Sequence, residues 1–402
     1  MNNFPLSPAA HRPVQAWFKA LCVAAVLVGC GGGGDNPSGK SSYSVGPITG
    51  FGSIIVNGVR FEDNSASVAS DDDDEGESRS KSDLKIGMVV EVKGNGTDDS
   101  GRSSASDIRF GSEIVGPFVQ ASVDAAAKTF VLLGQKVHVG ANTVFDDSLV
   151  AAWQSLTDGT VLEVHGILDS SSGVYNATRI ELESNANRFK LRGQIVDLDT
   201  TANTFKIGGA TISYDKLSPQ PTSLANGQFV RVKLETAQVN GAWVATKLKS
   251  GLRKLEDHDE AEIKGTVSDF KSMSDFKVNG TPVDASQATG APSLKDGDFV
   301  EVEGRLQAGT LIAKKVELED RDGNASGEFE FHRRIANISS DKSTFQLGSD
   351  VTIVVDGNTL FDRGATAQNI KNSDCVEVKA VAVSGSTNLL AKLIKFDNSC
   401  PL

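Results

Sequence analysis

The sequence predicts an all-β protein: five tandem small five-stranded OB-like antiparallel β-barrels after a signal peptide and a flexible tether. Three observations carry that expectation. Runs that alternate valine with charge recur along the chain, as in Val90-Glu-Val-Lys-Gly94 and Val300-Glu-Val-Glu-Gly304, and alternation every second residue marks a strand with one buried face. Forty glycines against 19 Phe, three Tyr and three Trp favour many turns between short strands. A single pattern of about 70 residues also returns along the whole chain, which announces tandem domains.

Residues 1–29 have the order of a signal peptide: a basic region with Arg12 and Lys19, the apolar run LCVAAVLV, then a small residue before a cysteine. The run is too short to span a bilayer. Leu27-Val28-Gly29-Cys30 resembles the lipobox of bacterial lipoproteins, which implies cleavage before Cys30 and lipid attachment to its thiol. Gly31 in the next position resembles lipoproteins sent to the outer membrane. Several acyl chains, at about 0.8 kcal/mol per buried CH₂, hold a protein on a membrane far better than one. Residues 30–45, the cysteine followed by GGGGDNPSGKSSYSV, read as a Gly/Ser tether that places the first module on the order of 20 Å from the lipid surface.

The first module opens with Gly46–Phe61, GPITGFGSIIVNGVRF. Gly50 and Gly52 permit a sharp bend, and Asn57-Gly58 fits a type I′ hairpin, which needs positive φ at both central residues. The first strand recurs at Ile48-Thr-Gly50, Ile114-Val-Gly116, Leu191-Arg-Gly193, Ile263-Lys-Gly265 and Phe331-His-Arg333. A second strand leads into a glycine turn, with Ile54, Phe130, Phe205, Phe276 and Phe345 in register, and a third follows, as in Lys136–Val139 and Val351–Val355. After a variable stretch come a Val-Glu-Val strand and a fifth that begins on Ala105, Ala177, Ala245, Ala313 or Ala391. Three strands, a helix or loop, then two strands is the order of an OB-like barrel. In module two the stretch offers Leu149, Val150, Trp153 and Leu156 to one face of a short helix; in module three Pro219 and Pro221 forbid a long one.

The modules fall at 46–111, 112–185, 186–252, 260–320 and 326–402. A module of this size buries only about 60% of the surface its unfolded chain exposes, so each core is marginal alone. The short charged linkers at 250–261 and 319–327 predict a string of barrels with limited hinge motion. The ITGFGSIIVNGVRF core at 48–61 and the VEVKG strand at 90–94 resemble a family of uncharacterised bacterial domains found singly and in tandem in envelope lipoproteins. The resemblance implies a fold and a location and no activity, and it weakens toward module five, where Arg333 replaces the first-strand glycine.

Candidate sites are sought where one module departs from the others. The run Asp71-Asp-Asp-Asp-Glu75 with Glu77 lacks the spaced ligands of a Ca²⁺ loop and reads as a solvated loop. His138 and His165 in module two read as surface histidines, too few for a zinc site; His258 falls in a linker and His332 at a strand start. Cys375 and Cys400 sit at neighbouring ends of the last two strands, which makes a disulfide plausible in an oxidising compartment. No catalytic motif, metal or cofactor is expected. The net charge of −12, more negative once the leader's Arg12 and Lys19 are removed, opposes nucleic acid.

These readings predict a non-catalytic envelope lipoprotein, lipid-anchored at the outer membrane, with a structural or adhesive role. The alternative is binding of oligosaccharide or another envelope polymer on barrel faces, for which Trp243 and Tyr175 are the candidate stacking residues.

Overall fold

The Asn57-Gly58 turn sits where its chemistry demands. Its φ values of 51° and 79° are those of a type I′ hairpin, and it joins Ile54–Val56 to Val59–Glu62. The computed structural model describes residues 41–70, 79–96, 102–146, 149, 153–169, 171–250, 255–289, 293–319, 328–383, 386–397 and 400. The signal peptide, Cys30, residues 31–40 of the tether, the Asp71–Glu75 run and Glu77 lie outside them. Among the described residues there are strands, two single 3₁₀ turns and no α-helix, and no helix long and apolar enough to cross a membrane.

Module one shows the plan of all five. Its strands are Ser41–Phe51, Ile54–Val56, Val59–Glu62, Val89–Asn95 and Arg102–Phe110. The first pairs antiparallel with the second, the second with the third, the fourth with the fifth, and the fourth with the first. The third pairs with the fifth in parallel, which closes an OB-type barrel. Modules two to five repeat each of these ladders, so one of the five in every barrel is parallel, not antiparallel as the sequence suggested. The last pair of strands carries a bulge at one position in every copy, Lys93/Gly94, His165/Gly166, Lys233/Leu234, Glu303/Gly304 and Lys379/Ala380. A bulge adds the bend a small closed sheet needs.

The cores follow the alternation. Phe130, Phe205, Phe276 and Phe345 of the second strands are fully buried, each contributing about 1.5–3 kcal/mol of apolar burial. The variable stretch departs from expectation. In module two it makes a single 3₁₀ turn, Trp153–Ser155, with Trp153 packed on Phe130 at 5.6 Å between ring centroids; Val150 is outside the described residues. In modules one and five it adds a short strand, Ser67–Ser70 and Leu360–Asp362, parallel to the fifth strand.

Two corrections concern module one. Ser41–Val45, read as the end of the tether, is the first half of its first strand, paired to Val92 and its neighbours on one edge and to Glu260–Ile263 of module four on the other. A serine-rich stretch looks like linker, yet Ser42 and Ser44 are buried and satisfied, by donation to Asn95 O at 2.5 Å and by acceptance from Asn57 Nδ2 at 3.2 Å. The repeat register also shifts by four residues. Gly46, not Gly50, lies opposite Val90, as Gly116, Gly193, Gly265 and Arg333 lie opposite Leu162, Val230, Val300 and Val376.

Gly50 and Gly52 instead serve a seam with module five. Gly50 and Phe51 pair in parallel with Glu330 and Phe331, and a Cβ on Gly50 would lie 2.0 Å from Glu330 O. Arg333 stacks its guanidinium over Phe51 at 4.5 Å. The barrels are therefore not strung as beads. Modules one and five share one apolar core, two and three share another, and Tyr43 of module one enters the core of module four.

Cys375 and Cys400 are joined, with Cα atoms 5.7 Å apart. Their sequence separation of 25 gives a loop-closure contribution of about 3 kcal/mol in the chain-entropy model, so reduction is expected to lower the midpoint of chemical unfolding with module five exchanging its amides first. Gly50→Ala forces Cβ into the Glu330 carbonyl and is expected to cost about 1–3 kcal/mol. Hydrogen exchange checks it: protection should fall along Glu328–Ala336 and persist in modules two and three, and uniform loss across all modules would contradict this account of the seam.

Candidate functional site

Once module one is locked to its neighbours, the outer surface of its second and third strands faces inward. It forms one wall of a cleft of ≈ 700 Å³ where modules one, two, four and five meet. Ile55, Asn57 and Arg60 come from that wall, on the face that barrels of this type use for ligands. Module two contributes His138 and Asn176, module four Lys264 and Glu301, module five Glu330, His332 and Lys379.

The lysines in the cleft are paired with carboxylates. Lys264 Nζ lies 3.1 Å from Glu301 and 2.8 Å from Glu319. Lys379 Nζ lies 3.7 Å from Glu328 and 3.6 Å from Glu330. Arg60 donates to Gly52 O at 2.9 Å, while its Nε is buried without a partner. A second cleft, of ≈ 820 Å³, is bounded by modules one to four. It carries the Arg192–Glu113 pair at 2.8 Å and Glu91, whose pKa burial raises against the pull of Lys93 and Arg109.

His332 ties the first cleft to the module one–five seam. It bonds Asp397 through Nδ1 at 2.7 Å and Glu330 through Nε2 at 2.8 Å. Burial alone would lower its pKa, but the two carboxylates outweigh burial and raise it; the hydrogen bond from His332 in turn holds Glu330 below its ordinary value. Behind Glu301, burial and then the Glu301 charge push Glu262 up to about 9, so Glu262 keeps its proton at neutral pH.

Several residues stand elsewhere than the sequence placed them. Tyr175 is buried, 1% exposed, and donates its hydroxyl to Arg192 O at the junction of modules two and three. Trp243 is half-buried edge-on against Phe189. Burial leaves Tyr175 no free stacking face. His258 begins the first strand of module four, buried and stacked on Tyr43 at 5.3 Å, where burial and then Lys93 lower its pKa. His138 is half-buried on the cleft wall.

His165 is the sharpest correction. Its counterparts Lys93, Lys233, Glu303 and Lys379 are half-exposed, yet His165 is 1% exposed. Alternation within the strand sends it outward, beside Arg179 of the paired strand, which donates to Ile86 O of module one at 3.2 Å, as Thr178 does to Gly87 O at 2.6 Å. Among the described residues two groups have metal-ligating side chains close together: Glu163, His165 and Glu181, and Glu301, Glu303 and Glu317. In the second group each carboxylate already has a lysine against it: Lys315 lies 3.0 Å from both Glu303 and Glu317, and Lys264 3.1 Å from Glu301.

The chain matches the model of a domain of unknown function, DUF5666, at residues 45–109, 118–181, 184–249, 264–317 and 334–395. A search of curated proteins finds no match.

The pH dependence has a definite sign. His332, with a raised folded pKa, contributes most below its unfolded value of 6.5 and loses that contribution as pH rises through the folded value. Glu262 is protonated in the fold and ionised in the unfolded chain between 4.5 and about 9, so it too favours unfolding as pH rises. Thermal midpoints are expected to fall from pH 6 to pH 9. Glu262→Gln should raise the midpoint at pH 8 and flatten the slope, and His332→Gln should cost about 1.5–3 kcal/mol near pH 6 and less at pH 9. A steeper slope in either variant would contradict these assignments.

Proposed function

Because this chain belongs to the DUF5666 family, a domain of unknown function that it carries five times in tandem, we propose its role from the way the copies are joined. The protein is a non-catalytic envelope lipoprotein, anchored through Cys30 at the outer membrane, that displays a rigid five-barrel unit for structural or adhesive work. One observation carries this reading. The strand nearest the anchor, Ser41–Phe51, is flanked on both sides, by Val89–Asn95 and His258–Ser272 along its first half and by Ile54–Val56 and Glu328–Ala336 along its second.

A load entering at Ser41 runs along that strand. It must shear both flanking ladders together, where an edge strand would peel one bond at a time. Such a placement suits a protein held at one end and engaged at the other. The inter-module cleft supports the second reading, binding of an oligosaccharide or other envelope polymer, since its paired charges and amides match a hydroxyl-rich chain.

Two measurements test the proposal. Cys30→Ala is expected to move the protein from the membrane to the soluble fraction, and unchanged fractionation would overturn the anchor. In single-molecule pulling from residue 30 and the C-terminus, Ser44→Pro, which removes a donor from a central strand, should lower the force of the first rupture. An unchanged rupture force would overturn the load-bearing role.

A further inference from the structure

We infer that Glu163, His165 and Glu181 form a binding site for a divalent transition-metal ion of the Zn²⁺ class. The three side chains stand on the outer face of the module two barrel, on its fourth and fifth strands, where Glu163 lies opposite Glu181 and His165 opposite Arg179. Their donor atoms all lie within 4.8 Å of one another.

His165 points to a ligand independently of the carboxylates. It is 1% exposed, and neither ring nitrogen has a hydrogen-bond partner. A buried imidazole without partners is costly, because it has given up water on both nitrogens and gained nothing in exchange. Nε2 is 3.7 Å from Glu163 Oε1. That is too long for a hydrogen bond, and close to the separation of about 3.4 Å that two ligands adopt around one tetrahedral ion with bonds near 2.1 Å.

Arg179 completes the arrangement. It grips Glu181 Oε1 at 2.6 Å and Asp146 Oδ2 at 3.1 Å, which orients Glu181 and leaves its other oxygen for the ion, as a partner behind a ligand does. The carboxylates of Glu163, Glu181 and Asp146 set against Arg179 leave two negative charges on this face, which a divalent cation neutralises. One nitrogen and two carboxylates suit Zn²⁺ or a neighbouring first-row ion; Ca²⁺ wants six to eight oxygens. Glu163 and Glu181 side chains are 20% and 14% exposed, so the ion has a way in, and three protein ligands leave a fourth position for water.

The test uses the full chain without a histidine tag, stripped with a chelator and titrated with Zn²⁺, with metal analysis after gel filtration and with calorimetry. The expected result is one ion per chain, with affinity lowered at least 10- to 100-fold, the range about which even an outer partner matters, in Glu163→Gln and in His165→Ala. Co²⁺ in place of Zn²⁺ should give the visible absorption of a four-coordinate site in the parent and lose it in both variants. If His165→Ala does not fold, Glu163→Gln decides, since Glu163 is at the rim. His138→Ala should leave binding unchanged. Retention of no ion above the stripped background overturns the site, as does binding that Glu163→Gln leaves intact or that disappears only when Asp71–Glu75 is replaced.

Discussion

The hydrogen-bonding capacity of the first strand organises this molecule. In each barrel that strand pairs with the fourth along its first half and with the second along its second half, so each half keeps one open edge. An open edge is a row of unpaired N–H and C=O groups and a template for association. Here every first-half edge meets another module's first strand. The first halves join in two pairs, module one with four in parallel and module two with three antiparallel, and the second half of module one takes the first strand of module five.

This pairing also relieves the weakness of a small core. A barrel of some 70 residues cannot bury enough apolar surface to be stable with margin, and the joined strands bring neighbouring interiors into contact. Phe51 and Phe331 belong to one cluster, Phe189 and Tyr175 to another. The departures from the repeat are found at these joints. Arg333 replaces a glycine and covers Phe51, and Gln135 donates from module two to Ile207 O of module three at 2.6 Å. Arg333 and Gln135, unlike their counterparts in the other copies, each face another copy.

That rule explains which site residues could be read in advance. The phenylalanines at the second strand were legible as core because their register repeats and the strand period assigns them an inward face. The cysteine pair was legible because strand order places both ends together. His165 was not. Its position in the strand sends it outward, yet it is 1% exposed, on a face where its neighbours Arg179 and Thr178 reach Ile86 and Gly87 of module one. Tyr175 was misread for the same reason, since the module two–three junction closes over it.

The sequence by itself determined the barrel: alternation every second residue, turn chemistry at Asn57-Gly58 and the order of the strands are local properties, and they specify each module through short-range contacts. The tertiary structure alone decided how five such modules share their edges, why Ser41–Val45 is strand and not tether, and which outward faces become cleft, seam or metal site. Those outcomes depend on backbone groups pairing across hundreds of residues, Ser42 with Glu260 and Gly50 with Glu330. A backbone edge has the same chemistry whatever side chains it bears, so no pattern of residue types announces its partner.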